Sequence, residues 1–383
     1  MQDIGVDPYG IEIMLPKTQG FTIRLKSISY IWANILKQEL LALGGDLALS
    51  RGALGGKVKK TDGLMIGQLA QFNALTQKLK IQPFGLAKFG QELALNLKNY
   101  QCSNFSLCLG KYRFDLSRRT HIMGIINLTP DSFSGDGLYA IKTSYSPELA
   151  LAKAEKLLSE GADIIDLGGE STRPGAKSIS VKEELRRTIP VIKLLAKKIK
   201  APLSIDTRKF QVAKAALDVG ALLVNDVSGL RDQQMAKIVA SFNAAVVLMH
   251  MRGTPEKMQK NIKYHSLLKD IQDYLKQQIA FAQAQGVKPE KIIIDPGIGF
   301  GKTLSDNLEL IKHLDSFKVL GKPLLLGASR KSFIAKVVGD SLEDRFYGNL
   351  ATSVLAARKG ARILRVHDVK QVKSVLKMEQ ALN

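Results

Sequence analysis

The sequence lacks the features that mark several classes of protein. Its 383 residues include one tryptophan and two cysteines, Cys102 and Cys108, and aromatic residues make up only 6% of the chain. Two cysteines exclude a disulfide framework, and neither has a nearby histidine with which to bind zinc. No apolar run approaches the roughly 18–20 residues that span a bilayer, so the sequence predicts no association with membranes.

The first residues, MQDIGVDPYG, are acidic and interrupted by Pro8 and Gly10. A signal peptide would instead be basic and then continuously apolar. Together with two thiols that we expect to be reduced, this predicts a cytoplasmic location.

The net charge of +21 invites a nucleic-acid function. The basic residues are scattered, however, as in KVKK at 57–60 and KKIK at 197–200, and no aromatic residues alternate with them to stack on bases. We therefore expect no nucleic-acid partner. The net positive charge is explained equally well by an anionic small-molecule substrate, which a positive field would attract.

From residue 121 onward, short β-branched apolar runs alternate with amphipathic helical stretches. The runs are HIMGIIN (121–127), IIDLGG (164–169), LSIDT (203–207), LLVNDVS (222–228), AVVLMH (245–250), IIIDPG (292–297), PLLLGAS (323–329) and ILRVHD (363–368). Eight such units predict an α/β fold, a (β/α)8 TIM barrel. An open doubly wound sheet is the alternative, but the even spacing favours closure. Just upstream, FSLCL and YRFDL flank Gly110-Lys111 and predict a hairpin that caps the N-terminal end of the barrel.

Residues 1–103 form a separate region, which leaves 104–383 for the barrel. FTIRLKSI (21–28) predicts a strand and YIWANILKQELLAL a helix. A second helix is predicted from an apolar face of Met65, Leu69, Phe72, Leu75 and Leu79. The glycine-rich stretch GGDLALSRGALGGKVKKTDG between the helices is interpreted as a loop. This is a small α+β, mainly helical accessory domain with no cluster of catalytic side chains and of unknown role.

Polar residues end every predicted barrel strand, and the ends of parallel strands meet at one mouth. They are Asn127, Asp166 with Glu170, Asp206, Asn225 with Asp226, His250, Asp295, Ser329 with Lys331, and Arg365 with His367. One such residue would be explained by capping of the next helix. Eight strands with the same feature predict an active site. His250 follows an apolar run and is interpreted as structural.

The stretch IIIDPGIGFGKT (292–303) ends like a phosphate-binding Walker loop. That loop requires a glycine five residues before Gly301, where this chain has Pro296, and Gly297 comes one position late. We therefore interpret the stretch as the sixth barrel strand and its turn, which presents Asp295 to the mouth.

Several motifs, in order along the barrel, resemble those of dihydropteroate synthase. They are MGIINLTPDSFSGDG (123–137), GGESTRPGA (168–176), SIDT, NDVSGL, LMHMRGTPEKMQ (248–259), DPGIGFGKT, GASRKSF and RVHDV. The resemblance covers roughly residues 104–383. It implies a transferase of folate biosynthesis that condenses hydroxymethyl-dihydropterin pyrophosphate with para-aminobenzoate, yielding dihydropteroate and pyrophosphate. It also implies a homodimer and a target of sulfonamides.

The same resemblance assigns roles to individual residues. Pterin binding falls to Asp206, Asn225, Asp295 and Lys331. Such carboxylates can accept the two parallel N–H donors of a pterin edge. Pyrophosphate binding falls to Asn127, Arg365 and His367, and Mg²⁺ binding to Asn127, whose oxygen suits this ion. Catalytic roles are implied for Asp206, Asp295, Lys331, Arg365 and His367.

The para-aminobenzoate pocket and its loops are expected to involve Phe133, Thr172, Arg173, Pro174 and Ser332. The first loop reads DSFSGDG where the family commonly has DSFSDGG, so the second aspartate stands at Asp136. Its role in the shifted loop is left open.

Two other functions remain alternatives at this point. A pterin-binding methyltransferase would use similar Asp and Asn residues, but would need neither the TPDSF loop nor Arg365 and His367 for a pyrophosphate. A non-catalytic basic binding protein would use residues 1–103 as its interface.

Overall fold

The structure, a computed structural model, describes residues 1–129, 146–172 and 175–382. The chain divides into two compact units, Met1–Gln101 and Cys102–Asn383. Among the helices in these described ranges, none is long and apolar enough to cross a membrane.

The first unit is built on a three-stranded antiparallel sheet of order β1-β3-β2. Its strands are β1 (Gly20–Ser29), β2 (Asp46–Leu49) and β3 (Lys60–Gln68). Its helices are α1 (Pro8–Met14), α2 (Tyr30–Ala42), α3 (Arg51–Leu54), α4 (Leu69–Leu79) and α5 (Leu86–Gln101). Side chains from α2, α4 and α5 pack with Leu47 of β2 and Met65 of β3 in one apolar core.

Two predictions for this unit are wrong. Met65 lies on strand β3, and helix α4 begins only at Leu69. The glycine-rich stretch is not a loop throughout, because it contains β2, α3 and the start of β3. Thr61, Gly63 and Met65 are buried in alternation, the period of a strand. Met65 and Leu69 are four residues apart, which is the spacing of one helical face, although one residue lies on the strand and the other begins the helix.

The second unit is a closed barrel of eight parallel strands in which sequence neighbours pair and β13 closes on β6. The strands are β6 (His121–Asn127), β7 (Ile164–Gly168), β8 (Leu203–Asp206), β9 (Leu223–Asp226), β10 (Ala245–Met249), β11 (Ile292–Asp295), β12 (Leu324–Leu326) and β13 (Ala361–Val366). The predicted TIM barrel is confirmed, and the open sheet is excluded.

Helices follow the barrel strands as the amphipathic stretches predicted. In the described ranges they are α6 (Pro147–Ser159), α7 (Val181–Lys198), α8 (Phe210–Asp218), α9 (Gln233–Ser241), α10 (Leu267–Ala284), α11 (Leu304–Lys312), α12 (Ser332–Val338), α13 (Leu342–Arg358) and α14 (Val369–Ala381). Their apolar sides pack on the outward strand residues, such as Ile165, Ile205 and Leu248.

The lower interior of the barrel is filled by inward residues from the starts of the strands. Met123, Ile164, Leu223, Ile293 and Ile363 form one buried cluster with side chains of the preceding hairpin. Because side chains alternate along a strand, residues two and four positions later face the same interior. Asp166, Asn225, Asp295 and Arg365, each two positions after such a residue, therefore form the next layer above an apolar floor.

A hairpin closes the N-terminal end of the barrel, as predicted. Strands β4 (Ser106–Leu109) and β5 (Tyr112–Asp115) pair across a two-residue turn, in which Gly110 has φ +56°. Leu107 and Leu109 are completely buried in the floor cluster. The Nζ of buried Lys291 donates to the carbonyl oxygen of Cys108 and ties the hairpin to the barrel.

Candidate active site

Arg365 connects two carboxylates at the centre of the barrel mouth. Its Nε donates to Oδ2 of Asp166 and its Nη2 to Oδ2 of Asp206, both at 2.7 Å. Asn225 adds a 3.3 Å contact from Nδ2 to the same oxygen of Asp166. The Asp166 side chain is fully buried, and that of Arg365 is 19% exposed. Residues from strands β7, β8, β9 and β13 thus meet in one hydrogen-bonded group.

Three buried oxygens in this group lack hydrogen-bond partners within the described part of the chain. They are Oδ1 of Asp166, Oδ1 of Asp206 and Oγ of Ser204, which lies beside Asp166 in the strand register. Unpaired buried polar atoms are costly in a folded protein, and each one calls for an explanation such as a binding or catalytic role. The two carboxylate oxygens are suited to accept N–H donors from a ligand.

Burial dominates the electrostatics of these carboxylates. It raises the pKa of Asp206 to about 7, although the positive charge of Arg365 opposes the shift. Burial likewise raises the pKa of Asp295, against the opposing charge of Lys331. The pKa of Arg365 is raised, because the charges of Asp166 and Asp206 outweigh the effect of its own burial.

Asp295 and Lys331 occupy neighbouring positions on the far side of the mouth. Oδ1 of Asp295 accepts the N–H of Gly297 at 2.7 Å. Nζ of Lys331 donates to the carbonyl oxygen of Ile298 and lies 4.6 Å from the centre of the Phe300 ring. Burial lowers the pKa of Lys331 to about 8. The ring belongs to an apolar cluster with Val227, Met249, Met251 and Met258, which offers a flat ligand an apolar surface beside the charged groups.

A second hydrogen-bonded network joins the ends of strands β6 and β13 to the loop after β12. Nδ2 of Asn127 lies 3.4 Å from Nε2 of His367, and Nδ1 of His367 lies 3.1 Å from Oγ of Ser329. The backbone N–H of His367 also donates to Ser329 at 3.3 Å. This network fixes the imidazole ring of His367 at the rim of the barrel mouth, two residues after Arg365.

Lys302 confirms that the GKT sequence is not a phosphate loop. Its Nζ is buried in the protein and donates to the carbonyl oxygens of His250 and Phe300, with Nδ1 of His250 at 3.0 Å. His250 packs edge-on against Tyr274. Burial, aided by the charge of Lys302, lowers the pKa of His250 to about 2. Lys302 and His250 therefore form an internal cross-link between two loops.

Two other carboxylates near strand ends, those of Asp226 and Glu170, bind residues of the loops and are not part of the group at the barrel mouth. Asp226 accepts the N–H groups of Ser228 and Leu230. Glu170 accepts the N–H of Ile179 and pairs with Arg208 and Lys209. Glu170 thereby fastens the far end of the loop that follows β7.

The structure covers only part of the predicted para-aminobenzoate pocket. Thr172 is partly buried in the loop after β7, and Ser332 is exposed at the first turn of α12. Phe133, Asp136, Arg173 and Pro174 lie outside the described residues.

Sequence reasoning placed Asp166 at the mouth but gave it no binding or catalytic role, whereas the structure places it in contact with two predicted site residues, Asn225 and Arg365. The available signal was an acid in the middle of an otherwise apolar strand, Ile-Ile-Asp-Leu-Gly at 164–168. A charge at such a position is expected to be paired inside the barrel.

A magnesium ion finds few anionic ligands of its own here. No group of three or more His, Cys, Asp or Glu side chains within the described ranges could hold a metal. A neutral amide such as Asn127 suits an ion that keeps several waters and takes its remaining ligands from substrate phosphates. The donor set therefore fits Mg²⁺ arriving with a phosphorylated substrate.

Comparisons with known proteins agree with this geometry. Residues 123–367 match the family described as "Pterin binding enzyme". The dihydropteroate synthase of Synechocystis is 44% identical over 278 residues, covering 72% of this chain and 94% of that protein. The crystal structure of Yersinia pestis dihydropteroate synthase in a sulfonamide drug complex has a TM-score of 0.68 at 39% identity, covering 73% of this chain and 99% of that one.

A longer match comes from Halobacterium salinarum. Its probable bifunctional folylpolyglutamate synthase/dihydropteroate synthase is 39% identical over 352 residues, covering 91% of this chain and 41% of that protein. A match of this length extends beyond Cys102–Asn383 into the first unit. The barrel is the part shared by all three relatives, and the chain belongs to the pterin-binding enzyme family and, within it, to the dihydropteroate synthases.

Proposed function

We propose that the mouth of the barrel holds a pterin edge against Asp206, Asn225 and Asp295 while para-aminobenzoate displaces pyrophosphate from the attached carbon. The overall reaction is that of dihydropteroate synthase. The observation that carries the assignment of roles is the pair of inward carboxylates with an adjacent amide, where Oδ1 of Asp206 is buried without a partner in the described residues. A pterin presents two parallel N–H donors, which a carboxylate accepts as a charge-assisted pair.

The departing pyrophosphate is assigned to the rim formed by Asn127, Arg365 and His367. The guanidinium on β13 and the imidazole just after the end of that strand provide donors for the phosphate oxygens. Mg²⁺, held by Asn127 and by the substrate's own phosphates, would neutralise charge on the leaving group. The network from Asn127 through His367 to Ser329 supports this assignment by keeping the donors in place.

Para-aminobenzoate is assigned to the loops after β6 and β7 and to Ser332. Its aniline nitrogen carries a lone pair and attacks without prior deprotonation, so a general base is not required. The expected work of the loops is to orient the amine and exclude water. Asp206 and Asp295 would stabilise positive charge that develops on the pterin when the carbon–oxygen bond loosens.

A direct test is to measure pyrophosphate release by the purified full-length chain. Release is expected only when Mg²⁺, hydroxymethyl-dihydropterin pyrophosphate and para-aminobenzoate are all present, with dihydropteroate formed in equal amount. Asp206→Asn and Asn225→Asp should each lower kcat/KM for the pterin substrate. Unchanged kcat/KM in both variants would refute the assignment of the pterin edge.

The first unit, Met1–Gln101, is proposed to be an accessory domain without catalytic function of its own. Support comes from the Halobacterium match, whose 352 aligned residues are more than the second unit contains. The chain from residue 102 onward should retain turnover, and the isolated fragment 1–101 should have none. Turnover of a pterin or nucleotide by that fragment would contradict this role.

We further propose a cytoplasmic homodimer. The homodimer is proposed from the resemblance to dihydropteroate synthases, and the cytoplasmic location from the two free cysteines, Cys102 and Cys108. Sedimentation equilibrium tests the oligomeric state, and a monomer at micromolar concentration would count against it.

A further inference from the structure

One of the two carboxylate oxygens of Asp206 already binds Arg365, a residue that the proposed reaction also needs for the pyrophosphate group. A pterin edge requires both oxygens of the carboxylate if its two donors are to bind side by side. Oδ1 has no partner in the described residues, but Oδ2 already accepts Nη2 of Arg365 at 2.7 Å. A carboxylate oxygen can accept two donors, so the incoming pterin shares Oδ2 with Arg365 and competes with it for the direct approach to that oxygen.

Asp166 is placed to hold Arg365 when the pterin displaces the guanidinium from Asp206. Its Oδ2 accepts Nε of Arg365 at 2.7 Å, and the carboxylate is completely buried on strand β7. Nε and Nη2 lie on the same edge of the planar guanidinium, so one contact can remain while the other breaks. The loss of the Asp206 contact releases an N–H donor without freeing the whole side chain.

The released donor has a second acceptor close by in the proposed reaction. Arg365 lies on β13 two residues before His367, which forms the rim together with Asn127. The proposed function assigns the phosphate groups of the substrate to this rim. An arginine that leaves Asp206 but stays attached to Asp166 can therefore turn its released N–H towards these groups.

We propose that the Asp166–Arg365–Asp206 bridge couples the two halves of the substrate site, so that pterin and pyrophosphate each strengthen the binding of the other. Asp166 acts as a positioning residue through Arg365, without direct contact with the reacting atoms. The inference rests on the proposed function and adds to it an energetic link between the two subsites. By reciprocity, the factor by which one ligand tightens the other is the same in both directions.

The test uses two separate ligands, hydroxymethylpterin without a diphosphate and inorganic pyrophosphate with Mg²⁺. Isothermal titration of the full chain gives the Kd of each ligand with and without saturating amounts of the other. In the unmodified protein we expect a mutual gain of about 5-fold or more, the lower end of typical coupling between sites. Asp166→Asn should reduce this gain to less than about twofold, because the neutral amide no longer holds the guanidinium.

Asp163→Asn is the matched control. It also neutralises a carboxylate paired with an arginine, Arg119, but this pair lies where the chain enters β6 and β7, at the opposite end of the barrel. The control should keep the full mutual gain. If Asp166→Asn does not fold, Arg365→Lys replaces it as the test variant, because one ammonium cannot reproduce the shared guanidinium edge.

Each outcome has a distinct meaning. Independent binding of the two ligands in the unmodified protein, or an undiminished gain in the folded test variant, would overturn the coupling. If the unmodified protein turned over its two substrates but showed independent binding, only the coupling would fail. If it produced no dihydropteroate, the proposed function itself would fail.

Discussion

Lys331 extends its Nζ over the face of the Phe300 ring, 4.6 Å from the ring centre, while donating to the carbonyl oxygen of Ile298. The ammonium group therefore lies against an aromatic face and a backbone oxygen. Burial lowers its pKa to about 8, and burial raises the pKa of Asp206 to about 7. The site holds its full complement of charges only within a narrow range of pH.

This arrangement predicts a bell-shaped pH dependence of kcat/KM for the pterin substrate. Activity should rise as Asp206 loses its proton near pH 7 and fall as Lys331 loses its proton near pH 8. Lys331→Arg keeps the positive charge at all accessible pH values and should remove the alkaline limb while leaving the acid limb. An alkaline limb that persists in this variant would show that another group causes it.

Asp206→Asn should abolish tight pterin binding in a protein that still folds. The amide presents an NH₂ group to donors, so a charge-assisted pair of about 1.5–3 kcal/mol is lost, equivalent to roughly 10- to 150-fold in Kd. Titration calorimetry with hydroxymethylpterin measures the change. Near-normal affinity in a folded variant would contradict the assigned role.

The same substitution makes a prediction for stability. Since the folded-state pKa of Asp206 is raised above that of an unfolded carboxyl group, its contribution to stability is full at low pH and is lost as pH rises through about 7. An asparagine has no such dependence. The Tm of Asp206→Asn relative to the unmodified protein should therefore increase between about pH 5 and about pH 8. A constant difference would indicate that the pKa of Asp206 is not raised in the folded protein.

Sulfonamides should inhibit the enzyme in competition with para-aminobenzoate, because they copy its aniline ring and its anionic end. The residues expected to form this pocket include Phe133, Thr172 and Pro174. Steady-state kinetics should show an apparent KM for para-aminobenzoate that rises with inhibitor while kcat stays constant. Inhibition that excess para-aminobenzoate does not relieve would argue against a shared pocket.

Cleavage of the carbon–oxygen bond is expected to precede attack by the amine. Asp206 and Asp295 are two buried carboxylates that can stabilise a pterin cation. With Mg²⁺ but without para-aminobenzoate, an oxygen label in the bridging position should therefore scramble slowly into the pyrophosphate group. Absence of scrambling, with a rate that depends strongly on aniline nucleophilicity, would favour a concerted displacement.

The final prediction concerns stability at the other end of the barrel. The Asp163 carboxylate accepts hydrogen bonds from the backbone N–H of Ile122 and from both terminal nitrogens of Arg119. Burial would raise the pKa of Asp163, but His121 at 3.4 Å and the bonds from Arg119 and Ile122 outweigh it and hold this pKa well below its usual range. The stabilisation is present above the ordinary carboxyl pKa and is lost as pH falls through the lowered value.

Asp163→Asn should therefore lower the free energy of unfolding at neutral pH by about 1.5–3 kcal/mol. Asp218→Asn is the control, because the Lys214–Asp218 pair is about half exposed and should contribute only about 0.2–0.5 kcal/mol. Urea denaturation at pH 7 compares the two. Equal losses would show that the buried pair has no special role.

The barrel was predictable because each strand carries its own local signal, an apolar run followed by a polar residue. Strand β6, for example, matches the predicted residues 121–127. The contact between Asp166 and Arg365 was not predictable, since 199 residues separate them and their meeting depends on how the closed barrel brings β7 and β13 together. Which of several inward charges pair is a property of the assembled interior.

The first unit was harder for a related reason. Met65 on β3 and Leu69 on α4 both face the same core, so their spacing resembled a single helix. The alternation of buried residues before Met65 contained the correct signal, but only over a few positions. Short strands next to helices are ambiguous for this reason.

The hairpin of β4 and β5 closes the end of the barrel that lies opposite the polar strand ends. Leu107 and Leu109 fill this floor together with the first inward residues of the strands, so within the described residues small molecules find no passage through that end. The proposed function assigns the pterin to strand-end residues inside the barrel, Asp206, Asn225 and Asp295, and para-aminobenzoate to the loops that follow strands β6 and β7. We therefore expect the pterin to bind before para-aminobenzoate covers it, and the joined product to leave with its pterin end last.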